Sequence, residues 1–267
     1  MSKFIVISVP TEQKAYDAVE ALKDLHADGS LTLYGYAVVQ RAADGKMVVK
    51  DEWGEGPLGT GVGALVGGFV GLLGGPVGGA IGLGAGSVAG ALHDLFEVGV
   101  SDDFLTSVTR KLAPGNTAVA AEISEDWITP LDLRAEALGA SVIRETRMDL
   151  VDERIGKRLD QFKAEVAQRK KERAAAKAEK MDAKLANEIS ESEEKLRAEL
   201  DKAHARMERA RQETKAKIDA LRAQASKATP DVRRRIEERI ADMQSDDNQR
   251  TDKLEQAYRL SQQALRA

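Results

Sequence analysis

The chain has 267 residues, 31% of them charged, and its net charge of −4 conceals two unlike halves. Residues 1–150 carry 11 Lys/Arg against 20 Asp/Glu, a balance of −9, while residues 151–267 carry 29 against 24, a balance of +5, so the halves can attract each other or different partners. The absence of cysteine excludes disulfides and thiolate chemistry, and the apolar run of MSKFIVISVP is too short for a secretory signal, so the N-terminal part is expected to stay in the cytoplasm.

Lys3–Val9 (KFIVISV) is β-branched and apolar and predicts a buried strand. Thr11 is placed to cap a following helix, in which Ala15, Ala18, Val19, Leu22 and Leu25 recur at helical spacing before Gly29. Leu31–Arg41 predicts a second strand. Asp44-Gly45 marks a hairpin turn, and Met47–Lys50 returns as a third strand, giving β-α-β-β.

The run Gly56–His93 then holds no Asp, Glu, Lys or Arg. Two glycine ladders at a spacing of four run through it: Gly59, Gly63, Gly67, Gly71 and Gly75, then Gly74, Gly78, Gly82, Gly86 and Gly90. A four-residue spacing lines one helix face. Each glycine costs a water-exposed helix about 1 kcal/mol relative to Ala, whereas a bilayer enforces the helix and small faces let helices approach closely. Pro76 suits a helix start, so the run predicts a helical hairpin of arms Leu58–Leu73 and Pro76–His93. Each arm reaches about 25 Å, short of the roughly 30 Å hydrocarbon core. Leu65, Val66, Phe69, Val70, Leu72, Leu73, Val77, Ile81, Leu83 and Val88 are expected to face lipid or an apolar partner. A flexible linker is a poor alternative for so apolar a run, and burial inside a soluble assembly is the stronger one. The flanks oppose the membrane reading, since no Lys or Arg occurs from Asp51 to Thr109, where the positive-inside rule favours basic residues.

Ser101 is an expected N-cap, with Phe104, Leu105, Val108 and Leu112 as the apolar face of its helix and Pro114-Gly115 as its stop. Thr117–Ser124 predicts a strand, Thr129–Leu138 a helix and Ser141–Arg147 a last strand. The fold class is therefore α+β: a small ferredoxin-like domain of residues 1–56 and 94–147, its antiparallel sheet with helices on one face, interrupted by a glycine-zipper hairpin of residues 57–93.

The uncharged glycine run, the GVSDDF helix start and the KLAPG turn within FEVGVSDDFLTSVTRKLAPGNTAVAAEIS resemble a family of bacterial predicted membrane proteins whose domain has no known function. The resemblance covers about residues 3–147, implies membrane association, and implies no catalytic residues. The C-terminal extension lies outside it.

Residues 148–228 favour one long helix, in which Ala174, Leu185, Leu196, Met207 and Ile218 recur at a spacing of eleven, near the pitch of a straight helix. Thr229-Pro230 breaks it, and residues 229–267 form a second helix. A coiled-coil-like antiparallel helical hairpin is expected, and its thin apolar stripe favours self-association.

No catalytic, cofactor or metal set emerges. His26, His93 and His204 lie in different segments, Asp102-Asp103 is explained by capping, and the glycine run lacks the Lys-Ser/Thr ending of a phosphate loop. Arg169, Lys170, Lys171, Arg173, Lys177 and Lys180, with Arg233, Arg234 and Arg235, read best as a solvated helix face and otherwise as contacts to lipid headgroups or an acidic partner; nucleic acid is not expected. The expected function is a non-enzymatic, homo-oligomeric scaffold in the bacterial cell membrane, both termini cytoplasmic, whose helical stalk self-associates or recruits a partner protein. A pore lined by the hairpins and a soluble scaffold that buries them are the alternatives.

Overall fold

The structure is a computed structural model that describes residues 2–54, 56–73, 100–146, 164, 168, 171 and 183–266. Its described elements are five strands and six helices, a mixed α+β architecture. Strands β1 (Ser2–Val9), β2 (Leu31–Arg41), β3 (Met47–Trp53), β4 (Thr117–Glu125) and β5 (Val142–Thr146) form one sheet in the order β3-β2-β4-β1-β5, and every pairing is antiparallel. Boundaries follow the sequence expectation closely, except that β3 runs on to Trp53, opposite Tyr36.

Interior strands β1 and β4 carry buried apolar residues on both faces, and the two faces feed separate cores. Ile5, Ile7, Val9, Val119, Ala121 and Ile123 pack under α1 (Glu12–Ala27) and the helix α4 (Thr129–Ala137). Phe4, Val6, Ala118 and Ala120 pack under α2 (Pro57–Leu73) and α3 (Asp102–Lys111). Helices thus cover both faces, which corrects the expectation of a single covered face. A strand buried on both sides needs apolar residues at successive positions rather than alternate ones.

Local chemistry starts the helices where expected. Thr11 accepts from the Lys14 N–H and caps α1, which buries Ala15, Ala18, Val19, Leu22 and Leu25. Ser101 accepts from the Phe104 N–H at 3.1 Å and caps α3, which buries Phe104, Leu105, Val108 and Leu112. Satisfying one orphan N–H in this way stabilises a helix by about 1 kcal/mol.

The first glycine arm becomes α2 and turns Val62, Leu65, Val66 and Phe69 into the second core, with Phe69 stacked on Phe104 at 6.4 Å. Six of its seventeen residues are glycine. Their summed helix cost is about 6 kcal/mol, and burying four large apolar side chains at roughly 1.5–3 kcal/mol each offsets it. The sheet is the apolar partner of this arm. The second arm, Pro76–His93, lies outside the described residues.

The chain divides into two compact units, one of Met1–Val151 with Lys215–Met243 and one of Asp152–Thr214 with Gln244–Ala267. The helices α5 (Ala183–Lys227) and α6 (Pro230–Arg266) each contribute to both units. In the first unit Leu221, Ala225 and Ile236, flanked by Ala228, Val232, Ile240 and Met243, form a small cluster of their own. In the second, Arg211 of α5 donates to Thr251 at 3.4 Å and to Glu255 at 3.2 Å on α6.

Candidate docking site

The sheet face that α2 and α3 cover is apolar at one end and polar at the other. Ser2, Thr32, Glu122 and Ser124 continue that face, all buried, and Glu122 is 0% exposed. Tyr34 joins them where the β2–β4 register shifts between Leu33 and Gly35, a bulge that re-aims the side chain. A carboxylate in such a place needs a cation, because an isolated buried charge is prohibitively costly.

The tip of the α5–α6 hairpin supplies it. Lys217, 4% exposed, ion-pairs with Glu122, donates to Ser2 Oγ at 3.4 Å and lies 5.5 Å from the Tyr34 ring centroid. Arg239, 6% exposed, donates to Asp126 at 3.1 Å, to Thr32 Oγ1 at 3.0 Å and to the Gly29 carbonyl at 3.1 Å. Gln224 donates to the His26 carbonyl at 2.6 Å and the Leu31 carbonyl at 2.9 Å, and its own oxygen accepts from Thr32. Arg235 stacks over Trp127 at 5.1 Å. The tip therefore presents mainly donors and the sheet unit mainly acceptors. Val232 adds an apolar contact: its side chain packs so close to Gly29, whose φ is +78°, that an added Cβ there would overlap it. The acids of the N-terminal half and the bases of the C-terminal half meet here.

Burial, followed by the neighbouring Glu122 carboxylate, holds the Tyr34 phenol above its ordinary range, so it is neutral. His26 is held below its ordinary value by burial and then by the Lys227 charge. Its Nδ1 accepts the Leu33 N–H at 3.2 Å, which requires the neutral ring. The unfolded chain takes up this proton near pH 6.5 and the folded chain resists it, so the stability present above that value is lost as the pH falls through the folded value. The urea midpoint is expected to fall between about pH 7.5 and about pH 5.5, and His26→Asn, which keeps an acceptor near Nδ1 but cannot titrate, is expected to remove part of that fall. An identical slope in the variant would exclude His26 as a source.

Residues 60–160 match the model of a family described as a protein of unknown function (DUF1269). The matched part contains most of α2, then α3, β4, α4 and β5, and so holds Glu122 and Asp126 but not Lys217, Gln224 or Arg239. No curated protein matches the chain, and no solved structure does.

The residues singled out in the sequence take varied positions. Gly59 meets the end of β3, where a Cβ would stand 2.6 Å from the Gly54 carbonyl oxygen. Among the described residues no atom lies within 4 Å of a Cβ added at Gly63 or Gly67, and Gly71 lies in the last turn of α2. Gly74, Gly75, Gly78, Gly82, Gly86 and Gly90 lie outside the described residues, as do Arg169, Lys170, Arg173, Lys177 and Lys180. Lys171 is exposed. Arg233 donates to the Ala225 and Ala228 carbonyls at the end of α5, Arg235 is taken by Trp127, and Arg234 keeps its side chain 71% exposed. Among the described residues no helix is long and apolar enough to cross a membrane, and no group of three or more His, Cys, Asp or Glu gathers to hold a metal.

Proposed function

We propose that this chain is a non-enzymatic, oligomeric scaffold associated with the bacterial cell membrane, with the glycine-zipper segment as its adhesive element. The subset β1-α1-β2-β4-α4-β5 is read as a ferredoxin-like platform, with β3, α2 and α3 inserted between its second and third strands. The C-terminal helices serve self-association or recruitment of a partner protein.

The observation that carries this reading is the glycine ladder on the open side of α2. Its apolar face is used by the sheet, while Gly63 and Gly67 leave bare backbone against which a further helix can pack closely. The uncharged run that continues through residues 74–93 supports the membrane component. A second reading, a soluble scaffold that buries the glycine segment in its own assembly, is favoured by the burial of Val62, Leu65, Val66 and Phe69 within the domain.

Vesicle flotation after a carbonate wash separates the two. Full-length protein is expected to float with the vesicles, and its recovery in the wash would leave only the soluble scaffold. Gly67→Leu, whose Cβ meets no atom of the described residues within 4 Å, is expected to keep the fold and to lower the crosslinked oligomer about tenfold or more, as overpacking at a close helix contact costs about 1–3 kcal/mol. An unchanged oligomer would refute the role given to the ladder.

A further inference from the structure

We propose that the α5–α6 tip, residues 215–243, is exchanged between copies of this chain, so that the acidic corner of one sheet is filled by Lys217, Gln224 and Arg239 of another copy. The inference rests on the self-association in the reading above and is independent of its membrane component.

Three observations lead to it. The tip packs its own apolar residues together, with Leu221, Ala225 and Ile236 forming a cluster separate from both sheet cores. It can therefore leave and dock as a preformed piece without opening either core. Its attachment includes the charged pairs Lys217–Glu122 and Arg239–Asp126 and the three bonds of Gln224, beside the Val232–Gly29 contact and the stack of Arg235 on Trp127. Polar interfaces of this kind resemble those between exchanging partners more than those of a fused core.

The third observation is connectivity. Residues 147–214 separate β5 from the tip, and every contact between tip and sheet joins parts of the chain far apart in sequence. A tip delivered by a second copy makes the same contacts atom for atom, so the intervening chain decides only the effective concentration at which self-docking competes. The complementary charges then act as the recognition code: donors on the tip, acceptors on the sheet, and a buried acid that must find a cation. Another copy of the chain carries the segment that already fits this corner.

The test uses two full-length proteins that should both fold, the native chain and the charge-reversed Glu122→Lys/Lys217→Glu chain, differently tagged, mixed at high concentration and followed by native mass spectrometry. In a mixed exchanged pair two lysines meet in one corner and two glutamates in the other. Like charges so placed cost several kcal/mol, so mixed dimers are expected about tenfold or more below the statistical share. Statistical mixing would show that each tip closes on its own sheet and that copies associate elsewhere, which overturns the exchange and leaves the self-association reading standing. A native chain that stays monomeric at all concentrations overturns both. Should the reversed pair fail to fold, Asp126→Arg with Arg239→Asp poses the same question at the second ion pair.

Discussion

Lys217→Ala is expected to destabilise the sheet unit by about 3–5 kcal/mol, the usual cost of removing one partner of a buried ion pair. The loss comes less from the missing attraction than from Glu122, 0% exposed, whose carboxyl stays buried after the lysine that offset it is taken away. Two companion variants distinguish this cause from lost packing. Glu122→Gln placed on top of Lys217→Ala should recover much of the loss, because the buried carboxyl that the lysine offset is gone. Replacing both partners by apolar residues, Glu122→Leu with Lys217→Met, should be neutral or stabilising by about 1–4 kcal/mol. Urea denaturation followed by tryptophan fluorescence reads all three, and the two indoles report different places. Trp127 lies under Arg235 of the tip, whereas Trp53 stacks on Tyr36 at 6.1 Å. If the alanine variant only releases the tip, the Trp127 signal should change before that of Trp53. A loss that Glu122→Gln fails to relieve would mean that the lysine acts through its stem and not its charge.

Much of the sheet unit was legible in the sequence because its signals are local. The helical spacing of α1, the caps at Thr11 and Ser101 and the turn at Gly45 each depend on a few neighbouring residues, and each stands where it was expected. Two-sided burial was also written locally, in the unbroken apolar runs of β1 and β4, but that signal was outweighed by the economy of a one-sided sheet. The docking site was harder to see. Glu122, set in TAVAAEIS at an inward position, is the one charged residue in that run, and a buried acid implies a buried base. Nothing local identifies that base as Lys217, since α5 is rich in lysine and arginine throughout and its partner is 95 residues away. The same limit explains the reading of α2. An apolar helix face looks alike in sequence whether lipid or a sheet covers it, and only the long-range fold decides.

Phe69→Ala provides the sharpest check of that decision, with an expected loss of about 3–5 kcal/mol in the detergent-free protein. Phe69 is 1% exposed, packs in the second core with Leu65 and Val66, and stacks on Phe104. Its removal leaves a cavity between α2, α3 and the sheet that rigid strands cannot close, so the cost includes the cavity as well as the lost transfer energy. Leu65→Ala, at 0% exposure, should lose about 2–5 kcal/mol for the same reason. A helix whose apolar face met lipid would behave otherwise, because lipid chains flow into the space left by a truncated side chain and no cavity persists. Gly63→Ala is the control on the opposite side. An added Cβ there meets no atom of the described residues within 4 Å, so alanine should gain roughly 0.5–1 kcal/mol from its better helix propensity in the isolated protein. Loss at Phe69 with gain at Gly63 would assign one face of α2 to the sheet and leave the other open for contact. Silence at Phe69 would detach α2 from the domain and return the whole glycine run to the bilayer.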